Sequence, residues 1–314
     1  MNIFTGMACR LIDRCRAFKK KIGLYRRIRK NIKKQNKTYF YLEKKYLRPY
    51  LISTSPDFSL LREKERIVWQ YWDSGIDGAP LVVRSSIKSV QDNLPDGYKH
   101  IVLNDKNLHE YVEIPDWIMD KRRTNREFRT VFFSDILRLY LLEKYGGVWI
   151  DATIFMSAQI PGHVLNSSFF VFYRGEEPAE REIYERFDPN YFSWRKEFKV
   201  KLCSSFIVAD RGHPFLTALK DILVRYWKEE NTFRHYFILQ MLFEQLIKVE
   251  PYSNVKWDSM DDLDIHRMQF EMGKSFTKER WDRLRSLCFA HKLSYKFVNK
   301  EKKSIFQYIE HVND

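Results

Sequence analysis

The chain has little cysteine. Cys9, Cys15, Cys203 and Cys288 are scattered through 314 residues, with no C-x-x-C pair and no zinc-finger spacing. That usage excludes a disulfide framework and suits a reducing compartment. Long apolar runs are also missing, since no stretch approaches the roughly 18 consecutive residues of a membrane-spanning helix. The N-terminal residues lack the apolar core of a secretory signal, about 7–15 residues long. Acidic residues are scarce in one region only. Residues 1–50 hold 16 Lys/Arg against Asp13 and Glu43, and their net charge of +14 equals that of the entire chain. The rest is balanced at 39 basic and 39 acidic side chains. A nucleic-acid-binding domain spreads basic charge over its folded face, so the neutral body argues against a nucleic-acid partner.

What is present suits a globular α/β protein. The length can bury a sizeable core as one large domain or two small ones. Aromatic residues, 16% of the chain, serve a filled core or stacking on rings. In the first 35 residues Phe4, Met7, Leu11, Cys15, Phe18, Ile22 and Tyr25 recur at helical spacing among many Lys and Arg. Such a basic amphipathic helix can lie on an anionic membrane surface, dock its stripe on the body, or serve as a presequence. The membrane reading places the protein in the cytoplasm, peripheral at the inner face of the cell membrane. Residues 1–50 are expected as a basic helical extension and 66–314 as the globular domain. The turn cluster Ser53-Thr54-Ser55-Pro56-Asp57 marks a connector over 51–65, with connector character reaching back to residue 36.

Beyond the connector, Arg66–Trp72 reads as a strand, 81–90 as a helix, and Tyr98–Leu103 as a second strand. Strand, helix, strand with short turns predicts a largely parallel sheet flanked by helices. The clearest helix spans 129–145 and stops at Gly146-Gly147, where a C-terminal cap glycine belongs. Val148-Trp149-Ile150 then forms a short buried strand that delivers Asp151 at its end. Asp135 and Arg138 are three apart on the helix and can pair. Each of these features has an ordinary reading alone: a helix ion pair, a helix stop, a strand-end carboxylate. Their order within 18 residues is the signal, because open α/β sheets bind ligands beyond the carboxyl ends of their strands.

This string resembles the donor-site signature of sugar transferases related to glycosyltransferase family 32, and among them the capsular polysaccharide synthesis proteins most closely. The resemblance covers roughly residues 64–300, through Ile67–Trp72, Ser134-Asp135-Ile136-Leu137-Arg138, Gly146–Thr153 and His291–Lys296. It implies a GT-A-like fold, Rossmann-like, with a nucleotide-sugar donor, a UDP-sugar by expectation, lying across the strand ends. It also implies roles: Trp72 stacking on the base, Ser134, Asp135 and Arg138 holding sugar and ribose or diphosphate, Trp149 lining the pocket. Asp151 becomes the first acid of the family's Asp-x-Asp, with a divalent metal, Mn²⁺ or Mg²⁺, beside it. The family's usual outcome is retention of anomeric configuration. A lipid-linked oligosaccharide acceptor follows if residues 1–35 rest on anionic membrane.

One position departs from the pattern. Thr153 stands where the second acid belongs, and a hydroxyl is a poor ligand for a hard cation. Either His291 joins Asp151 and Thr153 as a metal ligand, or the metal is held loosely, or Lys292 and Lys296 supply the positive charge instead. Two other classes stay open: a non-catalytic protein that binds lipid-linked oligosaccharide or membrane surface, and a metal-dependent phosphoesterase. The second calls for a richer Asp/His cluster than this sequence contains.

Overall fold

The computed structural model describes residues 3–297 and 303–311, with side chains from Phe18 onward. Its centre is a six-stranded sheet of β1 (Ile67–Tyr71), β2 (Lys99–Leu103), β3 (Gly147–Ile150), β5 (Phe169–Tyr173), β6 (Leu202–Ala209) and β7 (Asp258–Asp261), in the order β2-β1-β3-β6-β5-β7. Every strand but β6 runs in the same direction. A separate antiparallel ribbon pairs β4 (Ile154–Met156) with β8 (Ala290–Lys292). The expected α/β class, mostly parallel and flanked by helices, is what the chain adopts.

The central strands β1, β3, β5 and β6 are buried on both faces because helices cover both sides, while the edge strands β2 and β7 are partly exposed. β1 joins the parallel β2 through the helix Leu81–Asp92, and the helix Thr130–Tyr145 leads into β3. That second helix packs against Pro214–Glu229 and buries Phe132, Phe133, Ile136, Leu137, Leu139, Leu141 and Leu142. It ends because Gly146 takes φ +66° and Gly147 φ +97°, a left-handed pair that L side chains avoid. A Cβ on Gly147 would stand 2.5 Å from the Ile67 carbonyl oxygen, so only glycine lets β3 enter the sheet directly after the helix.

The N-terminal region differs from its sequence reading. The helix Ile3–Leu42 continues through a π-helical turn, Glu43–Leu47, into Arg48–Ser53, so the expected connector at 36–50 is helix. Its buried face runs through Leu24, Ile28, Asn31, Gln35, Thr38, Tyr39 and Leu42. Tyr39, Leu42, Tyr46, Leu47 and Tyr50 join the main core cluster. From Phe18 onward, then, the helix docks on the body with a stripe other than the expected one, and Phe18 is 65% exposed. The side chains of Phe4, Met7, Leu11 and Cys15 lie outside the described residues. Buried Asn31 and Gln35 each have a partner, as buried amides require. Asn31 Nδ2 donates to the Pro189 carbonyl at 3.1 Å, and Gln35 Nε2 to that of Asn190 at 3.2 Å. Among the described residues no helix is long and apolar enough to cross a membrane.

Candidate functional site

The C-terminal ends of β1 and β3 meet the start of the reversed strand β6 at the floor of a cleft of about 670 Å³. Tyr71, Trp72 and Asp73 come from the end of β1, Asp151, Ala152 and Thr153 from the end of β3, and Leu202 to Ser205 from β6. One face of the helix Thr130–Tyr145 lines a side through Thr130, Val131, Ser134, Asp135 and Arg138, spaced by single helical turns. Lys292 to Lys296 close another side. Tyr191, Phe192, Tyr236, Phe237, Gln240 and His266 form an aromatic and amide wall.

Asp151 is the hub. Its Oδ1 accepts from Trp149 Nε1 at 2.8 Å and from an Arg138 terminal nitrogen at 3.2 Å. Its Oδ2 accepts from Lys292 Nζ at 3.0 Å. Burial alone would raise this carboxyl, but Lys292, Arg138 and the indole hydrogen bond together hold it well below the usual carboxylate range. Asp151 is therefore fixed and ionised.

Arg138 is 2% exposed and its guanidinium is largely committed. It donates to the Ser204 carbonyl at 2.7 Å and to Ser134 Oγ at 3.3 Å, and it pairs with Asp135 at 3.1 Å. It lies 5.1 Å over the Trp149 ring. Asp135 is pushed up to about 6, chiefly by burial, with the attraction of Arg138 opposing and the repulsion of Asp151 adding. The pair thus braces Asp151 from beneath, and both of its residues also line the cleft.

Other expected residues separate into those brought together and those not. Trp72 stands half-buried on the cleft wall, edge-on to Tyr295 at 5.3 Å between ring centroids. Trp149 does not line the cleft; it is buried behind Asp151 and supports it through Nε1. Thr153 and Lys292 meet because β4 and β8 pair, with Ile154 opposite Lys292 and the Leu293 amide donating to the Thr153 carbonyl at 2.9 Å. His291 is a correction. Adjacent strand residues point to opposite faces, so while Lys292 faces Asp151, His291 turns away. It is fully buried, bonded through Nε2 to Ser157 Oγ at 2.8 Å, and pushed down to about 3 by burial.

The same geometry bears on the expected metal ligands. Lys292 Nζ lies between the two proposed oxygen ligands, 3.0 Å from Asp151 Oδ2 and 2.9 Å from Thr153 Oγ1. A divalent ion held by that acid and hydroxyl would stand against an ammonium group, with too few anionic oxygens to offset the repulsion. Among the described residues, no group of three or more His, Cys, Asp or Glu side chains could hold a metal. This donor set does not fit a resident divalent ion.

The sequence reading missed Tyr191 and Phe192 of the aromatic wall and their support. Arg174 and Asp262 form a buried two-pronged ion pair, 2.7 and 2.8 Å, with the guanidinium packed on Tyr191, Phe192 and Trp194. The run Tyr191-Phe192-Ser193-Trp194 was the available signal, but its arginine and aspartate are far off in the sequence.

The model of the family described as capsular polysaccharide synthesis protein matches residues 19–312. The O-glycosyltransferase braB of Annulohypoxylon truncatum is 28% identical over 170 residues, which are 52% of this chain and 38% of that protein. The chain thus spans well under half the length of that curated relative. Among solved structures, the PaToxG glycosyltransferase aligns over 93% of this chain and 98% of its own, at 14% identity and a TM-score of 0.38. The glycosyltransferase GlyE of Streptococcus pneumoniae TIGR4 aligns over 79% of this chain and 61% of its own, at 11% identity and a TM-score of 0.39. Structural likenesses this weak carry no argument about the site.

The geometry predicts the cost of removing the brace. Arg138→Ala leaves Asp135 buried without its partner, so unfolding stability should fall by about 3–5 kcal/mol, read as a shift in the urea midpoint. A loss near 0.2–0.5 kcal/mol, the worth of a solvated helix pair, would contradict the buried-brace reading.

Proposed function

The chain belongs to the capsular polysaccharide synthesis protein family, and on that premise we propose that it is a glycosyltransferase that moves a sugar from a nucleotide-sugar donor to a lipid-linked oligosaccharide. The observation that carries this reading is the ionised Asp151 at the end of β3, clamped between Arg138 and Lys292 at the floor of the cleft. Breaking a sugar–phosphate bond builds positive charge on the sugar and negative charge on the departing diphosphate. A site that lowers that barrier needs fixed carboxylates and fixed cations close together, and this floor has both.

In this reading the donor, a UDP-sugar by preference, lies across the strand ends with its base against Trp72. Ser134, Asp135 and Asp151 address the ribose and sugar hydroxyls. The anomeric carbon–oxygen bond breaks, its electron pair leaving on the β-phosphate. The acceptor hydroxyl oxygen bonds to that carbon from the same face, and its proton passes to the departing diphosphate, so configuration is retained. The acceptor enters over Tyr191, Phe192 and Tyr236, since sugar faces stack on aromatic rings.

The acceptor's lipid is met at an anionic membrane surface. Arg26, Arg27, Arg29, Lys30, Lys33, Lys34 and Lys37 are all exposed on the N-terminal helix, outside its docked stripe. Each cation near an anionic leaflet contributes about 1 kcal/mol. The described part of the helix therefore supports adsorption by charge more than insertion of an apolar stripe. The protein works, on this reading, as a peripheral protein at the inner face of the cell membrane.

Two measurements test these proposals. Asp151→Asn should retain the fold, because Arg138 keeps Asp135, yet lower the hydrolysis of UDP-glucose, UDP-galactose or GDP-mannose by more than tenfold, about 1.4 kcal/mol of barrier. A variant that keeps over a tenth of the wild-type rate removes Asp151 from the mechanism. The full chain should bind phosphatidylserine-containing vesicles and lose them as salt rises, because screening shortens the reach of each cation. Equal binding to phosphatidylcholine vesicles would sink the electrostatic proposal.

A further inference from the structure

The family's pattern puts a second acid where this chain has Thr153, and the structure puts Lys292 between Asp151 and that threonine. We propose that the Lys292 ammonium is the built-in cation of this site, holding the donor's diphosphate without a divalent metal. The inference rests on the nucleotide-sugar reading above and deepens it.

Three observations carry it. First, the ammonium is positioned, not merely nearby: Asp151 Oδ2 and Thr153 Oγ1 accept from it at 3.0 and 2.9 Å. An ammonium group has three N–H donors. Two are used there, and the third remains for a ligand oxygen in the cleft that Lys292 lines. Second, access differs between the two cations of the floor. The Lys292 side chain is 21% exposed and Arg138 only 3%, with Arg138 already committed to Ser204, Ser134, Asp135 and Asp151. A diphosphate reaching the floor meets the lysine first. Third, the exchange of acid for hydroxyl is what a lysine at this point requires. With two carboxylates the ammonium would be overneutralised and have little attraction left for phosphate. With one carboxylate and one hydroxyl the local set Asp151, Thr153 and Lys292 is neutral instead of anionic, so a diphosphate meets no net repulsion there and gains the remaining N–H of Lys292, with Lys296 at the rim.

The ribbon gives this arrangement its rigidity. β8 reaches β4 over a long sequence separation, and the Leu293 amide bonds to the Thr153 carbonyl, so lysine and threonine are fixed on facing strands. A preorganised cation stabilises developing charge without reorganising at the moment of reaction. When the sugar–phosphate bond breaks and the electron pair moves to the diphosphate, the third N–H of Lys292 meets that charge.

The test is titration calorimetry of the full chain with UDP, and with GDP and ADP alongside, in EDTA and then in Mn²⁺. UDP affinity should agree within about twofold between the two buffers. Lys292→Ala and Lys292→Met should each weaken it by more than tenfold in EDTA, with thermal unfolding confirming that at least one of the two is folded. Thr153→Asp should weaken UDP in EDTA as well, by adding a second carboxylate beside the ammonium. UDP binding that tightens more than tenfold with Mn²⁺ would overturn the role of Lys292 and leave the nucleotide-sugar reading standing. A folded Lys292 variant that binds UDP as the wild type does overturns it equally. No binding of any nucleotide in either buffer would defeat the nucleotide-sugar reading itself.

Discussion

Asp151 stays ionised although half-buried at the floor of the cleft, and much of the surrounding structure holds it in that state. Burial alone would favour its neutral form. Arg138 and Lys292 reverse that preference from opposite sides, and the Trp149 indole adds a hydrogen bond from behind. Each partner needs its own support. Arg138 is fastened to β6 through the Ser204 carbonyl, and Lys292 to the β4–β8 ribbon. The Gly146-Gly147 turn lets the arginine's helix and the aspartate's strand meet at this spacing, since no residue with a Cβ fits against the Ile67 carbonyl.

The site that results contains its own counter-charge. A metal-binding pair of acids would attract a diffusible ion; here one acid is matched by a tethered ammonium. Asp135, raised to about 6, stays coupled to the same network through Arg138. The two carboxylates sit in one field yet move in opposite directions from their ordinary values. Asp135 has a single cation and full burial, whereas Asp151 has two cations and an indole. Paired acids driven apart in this way are common where charge develops during a reaction.

Much of this was legible in the sequence where the determinants are local. The 129–145 helix, its glycine stop, the short apolar strand and the acid at its end lie within a few turns of one another, and period and turn chemistry place them. What was not legible depends on long-range pairing. The register of β8 against β4 decides that Lys292 faces Asp151 and His291 faces Ser157; a slip of one residue would exchange them. The Arg174–Asp262 pair behind the aromatic wall is similarly remote. The N-terminal helix was misread in part because Asn31 and Gln35 look like surface residues. They are buried because they hold the backbone of the 189–190 loop, next to Tyr191 and Phe192 of the cleft wall. The helix that carries the basic charge is therefore also a support of the wall over which the acceptor is proposed to enter.

The claim on which the rest depends is that the floor around Asp151 and Lys292 receives a nucleotide sugar. Its most direct measurement is the melting temperature of the full chain against a panel of UDP-, GDP-, CDP- and dTDP-sugars, all in excess chelator. A ligand that binds the folded state at a hundred times its Kd stabilises it by about 2.7 kcal/mol, which shifts the melting temperature of a chain this size by several degrees. The account predicts such a shift for one nucleotide class without any divalent ion. A panel that leaves the melting temperature unmoved, both in chelator and after Mn²⁺ is restored, would contradict it.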